Sequence, residues 1–289
     1  MIGWLDTIIQ GVLLGGLYAL YATGLSLIFG IMRLVNLAHG DLIVFAAFLM
    51  LALTSALGID SVVAFAIAVP IMFGIGYALQ AFLLNRTLGP DILPPLLVTF
   101  GLSIVIQNGL LQGFSADTRR LPIGDLAVTS VPLGGGIAVG IMPLLSLVAA
   151  VVVVIAMNQL FYRTSLGRAL RATSDDSETA QLMGIDNQRI YATAMGLAMA
   201  VCAVAAFFLG SRSNFDPTIG PARLIYAFEA VIIGGLGSLW GTLAGGIVVG
   251  LAQAIGARIS PEWQILGGHI AFLIVLVLRP RGLFPRALD

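Results

Sequence analysis

Apolar residues run almost unbroken along this chain, parted only by short polar joints, and the length of the runs decides what they can be. A helix that crosses a bilayer needs about 20 mainly apolar residues, within a range of about 17–25. Seven runs have that character: 7–31, 41–57, 62–84, 93–113, 137–161, 190–210 and 262–278. An eighth, 224–257, is too long for one ordinary crossing and is interrupted by Gly237-Ser238-Leu239-Trp240-Gly241, which predicts two short helices meeting at that break. The predicted fold is all-α, a polytopic transmembrane helical bundle of about 8–9 spans in a single domain over 1–289. Nine spans is the expected count, with eight plus a re-entrant segment as the alternative.

Composition agrees with a membrane setting. Apolar residues make up 59% of the chain and charged residues 10%, against roughly 25% charged in an ordinary soluble domain. Formal net charge is zero, which points away from a nucleic-acid partner. One cysteine, Cys202, lies in an apolar run and rules out an internal disulfide or a cysteine-based zinc site. All 14 basic residues are arginine. The missing lysine excludes a retinal Schiff base and a P-loop, so any ATP must bind on another subunit. The start, MIGWLDTIIQGVLL, has an acid and no basic n-region, so its first apolar run is expected to stay as a span.

Arginine placement predicts orientation, because cytoplasmic loops are enriched in basic residues. The longest polar connection, 162–189, holds Arg163, Arg168, Arg171 and Arg189 and is placed inside. Threading the spans adds Arg33, Arg86 and a tail with Arg279, Arg281 and Arg286 on that side. Arg119, Arg120, Arg212, Arg223 and Arg258 fall outside or at that border, and so does the N-terminus. Two connections, 114–136 and 211–221, are long enough to form outer surface; the first, rich in Pro and Gly, reads as irregular or short-stranded.

Within 162–189, Asp175 and Glu178 fit a capping pattern at a helix start, and Gly184 sits where a left-handed residue would end it. The short helix between them, 176–183, carries Thr179, Leu182 and Met183 on one stripe, which suits docking on a partner protein. Glu178-Thr179-Ala180 with Gly184 resembles the E-A-A-x-x-x-G loop of bacterial ABC importer permeases, with threonine for the middle alanine. Gly24-Leu-Ser-Leu-Ile-Phe-Gly30 with Asn36-Leu-Ala-His-Gly-Asp41 is similar to the G-L-x-L-I-F-G…N-L-A-H-G-[DE] signature of permeases for branched-chain amino acids. Ile233-Gly234-Gly235-Leu-Gly237-Ser238 and the tail Arg279-Pro280-Arg281-Gly282-Leu283-Phe284 resemble further segments of that family, closest to the shorter of its two paired permease subunits.

That resemblance implies a bacterial inner-membrane permease whose coupling helix comprises Asp175, Glu178, Thr179, Ala180, Leu182, Met183 and Gly184. It implies a second related permease subunit, two cytoplasmic ATP-binding subunits carrying ATP and magnesium, and an extracytoplasmic solute-binding protein. The implied cargo is a branched-chain or related neutral amino acid, with urea, amides and aromatic acids transported by similar proteins. No cofactor is implied for this chain itself.

Polar groups inside a bilayer are expensive and therefore face protein or water. Asn36, His39 and Asp41 are expected to form a helix-breaking segment that caps backbone or borders the permeation route. Glu229 is expected to line a cavity or pair with Arg223, and Gln107 and Asn108 to bridge helices. No metal site is expected, and neither His39 nor His269 has a carboxylate at helical spacing. Gly237, Gly241 and Gly245, and likewise Gly246 and Gly250, recur every four residues, a spacing that lets helix backbones approach closely in lipid. An ion-coupled carrier would show inverted repeats, and the sequence shows no convincing similarity between its halves.

Overall fold

The computed structural model describes residues 2–89, 91–134 and 136–284; Arg286 of the predicted tail and Gly135 of the predicted loop lie outside the described residues. The chain forms α1 Ile2–Met32, α2 His39–Leu57, α3 Ser61–Ala78, α4 Leu93–Phe114, a hairpin of β1 Ser130–Gly134 and β2 Ile137–Gly140, α5 Ile141–Arg163, α6 Ser165–Asp175, α7 Ser177–Leu182, α8 Asn187–Arg212, α9 Gly220–Gly234, α10 Leu239–Ile259 and α11 Trp263–Leu278. Helix α3 is prolonged to Arg86 by a π turn and a 3-10 turn. Among the described residues, seven helices are long and apolar enough to cross a membrane, namely α1 to α5, α8 and α10. Helices α9 and α11, with 15 and 16 residues, are shorter.

Burial separates the helices into two sets. Helices α1 and α8 are the inner ones: Tyr21, Ile28, Met195 and Ala203 are fully buried. Helices α3, α4, α5 and α11 keep large apolar side chains such as Phe82, Val105, Val152 and Val277 on the outside. An inside-out surface of that kind is what a bilayer or an apolar partner requires.

The arrangement repeats itself at an interval of 180 residues. Helix α1 ends at Met32 and α8 at Arg212; α2 carries Gly40 in its first turn and α9 begins at Gly220; α3 spans Ser61–Ala78 and α10 Leu239–Ile259. Packing follows the same rule. Antiparallel α1 and α10 meet at Gly15 and Ile247, and antiparallel α3 and α8 meet at Gly76 and Met199. The structure therefore holds two units of inverted sense, α1–α3 and α8–α10, a likeness of halves that the sequence did not show. The sequences differ because only a few positions, the glycines above all, are constrained by the shared backbone path.

Glycines set the closest approaches. A Cβ on Gly246 would stand 2.7 Å from Ala19 N and from Gly15 O, and Gly250 abuts Gly11 and Gly15 across the same α1–α10 seam. Gly241 and Gly245 face the other way, against Gly234 and Ala230 of α9. Gly237 is not in a helix: it lies in the turn between α9 and α10 at φ +78°, with Gly30 against it. The predicted break thus falls at 235–238, and Trp240 and Gly241 already belong to α10. The hairpin strands at 130–134 and 137–140, followed by α5, stand where a span was expected from 137; the 114–136 connection also bonds to 211–221 through Arg119 and Phe215 (N to O, 2.7 and 2.8 Å).

Gly246→Ala is expected to lower the unfolding midpoint of the detergent-purified protein, because overpacking costs about 1–3 kcal/mol. Gly74→Ala, where no heavy atom lies within 4 Å of the added carbon, should leave the midpoint unchanged or raise it. Equal shifts for the two would refute the seam.

Candidate functional site

The first polar site is made by the two helices that start inside the bundle. Helix α1 stops at Met32, yet His39 Nε2 lies 2.8 Å from the carbonyl of Tyr21, eleven residues back. At 1.5 Å per residue the non-helical segment 33–38 has returned about 16 Å into the bundle, close to half of a hydrocarbon core of about 30 Å. There the chain turns on Asn36, whose Oδ1 accepts from Ala38 N (3.0 Å) and whose carbonyl accepts from His39 N (3.2 Å). The second unit makes the same turn: Asp216 Oδ1 accepts from Thr218 N (2.8 Å) and its carbonyl from Ile219 N (3.4 Å).

The two helix starts then meet. Gly40 packs on the Gly220 carbonyl, and Gly220 packs on the Asp41 carboxylate, so neither site has room for a side chain. Asp41 is 1% exposed and its oxygens accept from Ser103 Oγ (2.5 Å) and Gln107 Nε2 (3.0 Å), which ties α2 to α4. A carboxylate in the first turn of α2 also faces the positive end of that helix. His39 is fully buried, with Cys202 Sγ at 3.7 Å from Nδ1. Asn36, His39 and Asp41 are thus brought together and packed. Gln107 bridges helices as expected, whereas Asn108 only bonds back to Ile104 O of its own helix.

Glu229 lies apart from this cluster. Its carboxylate pairs with His269 of α11, which corrects the Arg223 pairing and supplies across helices a carboxylate that neither histidine has at helical spacing. The pairing joins residues forty positions apart, so no spacing rule within one helix could reveal it. Arg223 is not in an outer loop but in the first turn of α9, over the ring of Tyr226 (6.0 Å). Nearby, Tyr18 stacks on Tyr226 (4.9 Å) and donates to Gln253 Oε1 (2.6 Å), a polar seam that the sequence did not single out.

The second site is the 162–189 connection. It holds two helices where one was expected. Helix α6 is capped by Thr164, whose Oγ1 accepts from Gly167 N (2.9 Å), and Ser174 Oγ donates to Gly30 O (2.6 Å) at the end of α1. Helix α7 is capped by Asp176 rather than Asp175, which closes α6. Asp176 Oδ1 accepts from the amides of Glu178 and Thr179 (3.0 Å each) and Oδ2 from Thr179 Oγ1 (2.6 Å). The threonine that replaces the resembling family's alanine therefore completes the cap. These bonds, the Thr179 hydroxyl foremost, hold the Asp176 carboxyl below its ordinary range. A depressed carboxyl contributes above its unfolded value and loses that contribution only as pH falls through the folded one, so the cap is intact at neutral pH.

At its other end, Gly184 (φ +87°) donates to Gln181 O and Ile185 N to Ala180 O, the paired bonds of a left-handed helix stop. Asn187 Nδ2 donates to Ser177 O (2.6 Å) and fixes α7 to the start of α8. Ala180 is buried beneath, while Leu182 and Met183 are 87% and 79% exposed. Two large apolar side chains are thus held out on a braced short helix.

A family described as branched-chain amino acid transport system, permease component, matches residues 7–278. The chain belongs to this family. Among curated relatives in it, the high-affinity branched-chain amino acid transport permease BraD of Pseudomonas aeruginosa is 30% identical, over 98% of this chain and 96% of that one. The corresponding LivH of Escherichia coli is 27% identical over the same shares. Among solved structures, PsaBC from Streptococcus pneumoniae in complex with Fab superposes with a TM-score of 0.50 at 16% identity, covering 95% of this chain and 92% of that one. That likeness supports the fold. The permease is a multi-pass membrane protein, and among the described residues no group of three His, Cys, Asp or Glu could hold a metal.

Asp41→Ala in this permease takes the acceptor from the buried Ser103 hydroxyl, at about 1–3 kcal/mol for a stranded buried group, and leaves Gln107 with only Ser103 Oγ (3.2 Å) to donate to. The unfolding midpoint should fall clearly below that of Asn108→Ala, which removes only an exposed bond within α4. Matching midpoints would show that the junction carries no stability.

Proposed function

We propose that this permease is the membrane subunit of an ATP-driven importer that moves branched-chain or related neutral amino acids across the bacterial inner membrane. The observation that carries the reading is the family match over nearly the whole chain, joined to a braced helix that offers Leu182 and Met183 to a partner. The cargo follows from the names of relatives such as BraD and LivH.

Nine hydrophobic helices among the described residues cross or enter the bilayer, with the N-terminus outside and the 162–189 end, with Arg279 and Arg281, inside. Bonds from Leu283 N to Ile233 O and from Asn85 Nδ2 to Gln188 O support that grouping of ends. Helix α7 is the coupling helix, including Asp176 in place of Asp175 as its cap. Two ATP-binding subunits, with ATP and magnesium between them, dock there. A second, related permease subunit completes the pathway against the apolar outer faces. A soluble binding protein delivers solute at the end formed by 114–136 and 211–221.

Closure of the ATP-binding pair pulls on α7, which moves α6 and, through Ser174 and Gly30, the end of α1. Differential binding of partners to inward and outward states supplies the free energy. In this reading Asn36, His39 and Asp41 form the pivot between the inverted units at the edge of the route. Glu229 reaches the route through His269, whose side chain is 38% exposed. Internal repeats also occur in ion-coupled carriers; family membership and α7 separate this permease from them.

The test is uptake of labelled leucine into proteoliposomes by the complete complex, with Leu182→Ser and Met183→Ser combined as the variant. Uptake should require ATP and fall at least about tenfold in the variant, the loss of roughly 1.4 kcal/mol of coupling. Uptake without nucleotide would overturn the mechanism. ATP hydrolysis without leucine uptake would leave the importer and move the cargo to another small neutral solute.

A further inference from the structure

A cleft of about 260 Å³ opens at the α6–α7 end of the bundle, between the end of α1, the end of α5, α6 and the start of α10. It is apart from the pivot of the two units and from the exposed face of α7. Four features of its lining have no role in the transport reading above.

The guanidinium of Arg171 lies over the ring of Tyr162 at 5.0 Å, and its Nη1 is buried without a hydrogen-bond partner. Ser26 is 1% exposed, and its Oγ also has no partner. Both residues line the cleft. Ser238 caps α10 by accepting from Gly241 N (3.1 Å), which leaves the preceding amides of Leu239 and Trp240, on the cleft wall, in the unbonded first turn of a 21-residue helix. Among the described residues, no carboxylate lines the space. Unsatisfied buried donors cost about 1–3 kcal/mol each, so the buried Arg171 Nη1 and Ser26 Oγ, with the first-turn amides of α10 beside them, point to an absent acceptor.

The acceptor's chemistry follows from the donors. A guanidinium, a hydroxyl and a helix N-terminus together suit a phosphate oxygen. The rest of the wall is apolar, with Leu27, Ile31 and Phe161, and its rim carries Trp240 and Tyr162, which are 48% and 66% exposed. Trp and Tyr gather at the headgroup depth of a bilayer, and basic pockets between helices on the cytoplasmic side hold anionic headgroups. A free phosphate has no use for the apolar wall, whereas a phospholipid fills both parts.

We propose that this cleft binds an anionic phospholipid, its phosphate on Arg171, Ser26 and the α10 amides and its chains against Leu27 and Phe161. The bound lipid fixes α6, which carries α7, to α1 and α10. Coupling at α7 then depends on the lipid composition of the membrane.

The complex, purified through a tag on this chain, is washed in detergent after exposure to phosphatidylcholine vesicles with or without about 30% phosphatidylglycerol. Bound lipid is counted by native mass spectrometry. Phosphatidylglycerol should be retained by the unaltered complex, and Arg171→Gln should lower its occupancy about fivefold, the size of one arginine's attraction to an anionic surface. Ser26→Ala, which removes one hydroxyl without filling the cleft, should lower it in the same direction and covers the case in which Arg171→Gln does not assemble. Arg171→Lys should restore part of the loss. Arg168→Gln, outside the lining, should have no effect. Retention lost equally in Arg168→Gln would reduce the effect to general surface charge and overturn the site. Displacement of the retained phosphatidylglycerol by inorganic phosphate, or no selective retention by the unaltered complex, would overturn it as well.

Discussion

The contact between Gly40 and Gly220 is the constraint on which the rest of the fold depends. Inside a bilayer each backbone amide and carbonyl must find a partner in protein, so a broken helix survives only where it is enclosed. This chain breaks two helices at the same depth and encloses each break with the other. Asn36 and Asp216 close equivalent turns, and Asp41, Ser103 and Gln107 satisfy the acidic group left beside them. A side chain at either glycine would push the helix starts apart and expose both turns. The inner position of α1 and α8 follows, because they flank this junction. The close seams that glycines make between α1 and α10, and between α9 and α10, hold it in place.

In the proposed mechanism, motion and function attach to this core at its two ends. At one, the 114–136 connection and the segment after α8 are bonded to each other through Arg119 and Phe215, so a protein landing there meets a joined surface and not two independent loops. At the other, α7 is braced by its own caps, by Asn187 and, through α6, by the end of α1. Force applied to Leu182 and Met183 is therefore delivered to α1, the helix that runs through the whole bundle, and not lost in a slack loop.

The sequence disclosed the parts governed by local rules. Helix lengths, Gly184 as a left-handed stop and the four-residue glycine spacing are properties of one segment, and all were readable. The misplaced cap shows the limit of that reading: Asp175 and Asp176 are adjacent, and only the path of α6 decides which side chain is free to cap α7. Contacts between distant segments were hidden for the same reason. Nothing near Glu229 announces His269, and nothing near Gly40 announces Gly220. The internal repeat left few identities because inverted packing demands small residues at a handful of places and tolerates any apolar side chain elsewhere. Helix α6 was overlooked because its polar residues read as loop, although Leu166, Leu170 and Thr173 fall on one face.

The proposed mechanism requires the two ends to lie on opposite faces of the membrane, and cysteine accessibility tests that directly. Cys202, 1% exposed, gives a quiet background. Asp117→Cys and Met183→Cys, both at exposed positions, are labelled in intact cells or spheroplasts with an impermeant maleimide and again after permeabilisation. The account predicts that Asp117→Cys reacts at once and Met183→Cys only after permeabilisation. Labelling of both positions from the same side would contradict the inverted architecture and the coupling role of α7 together.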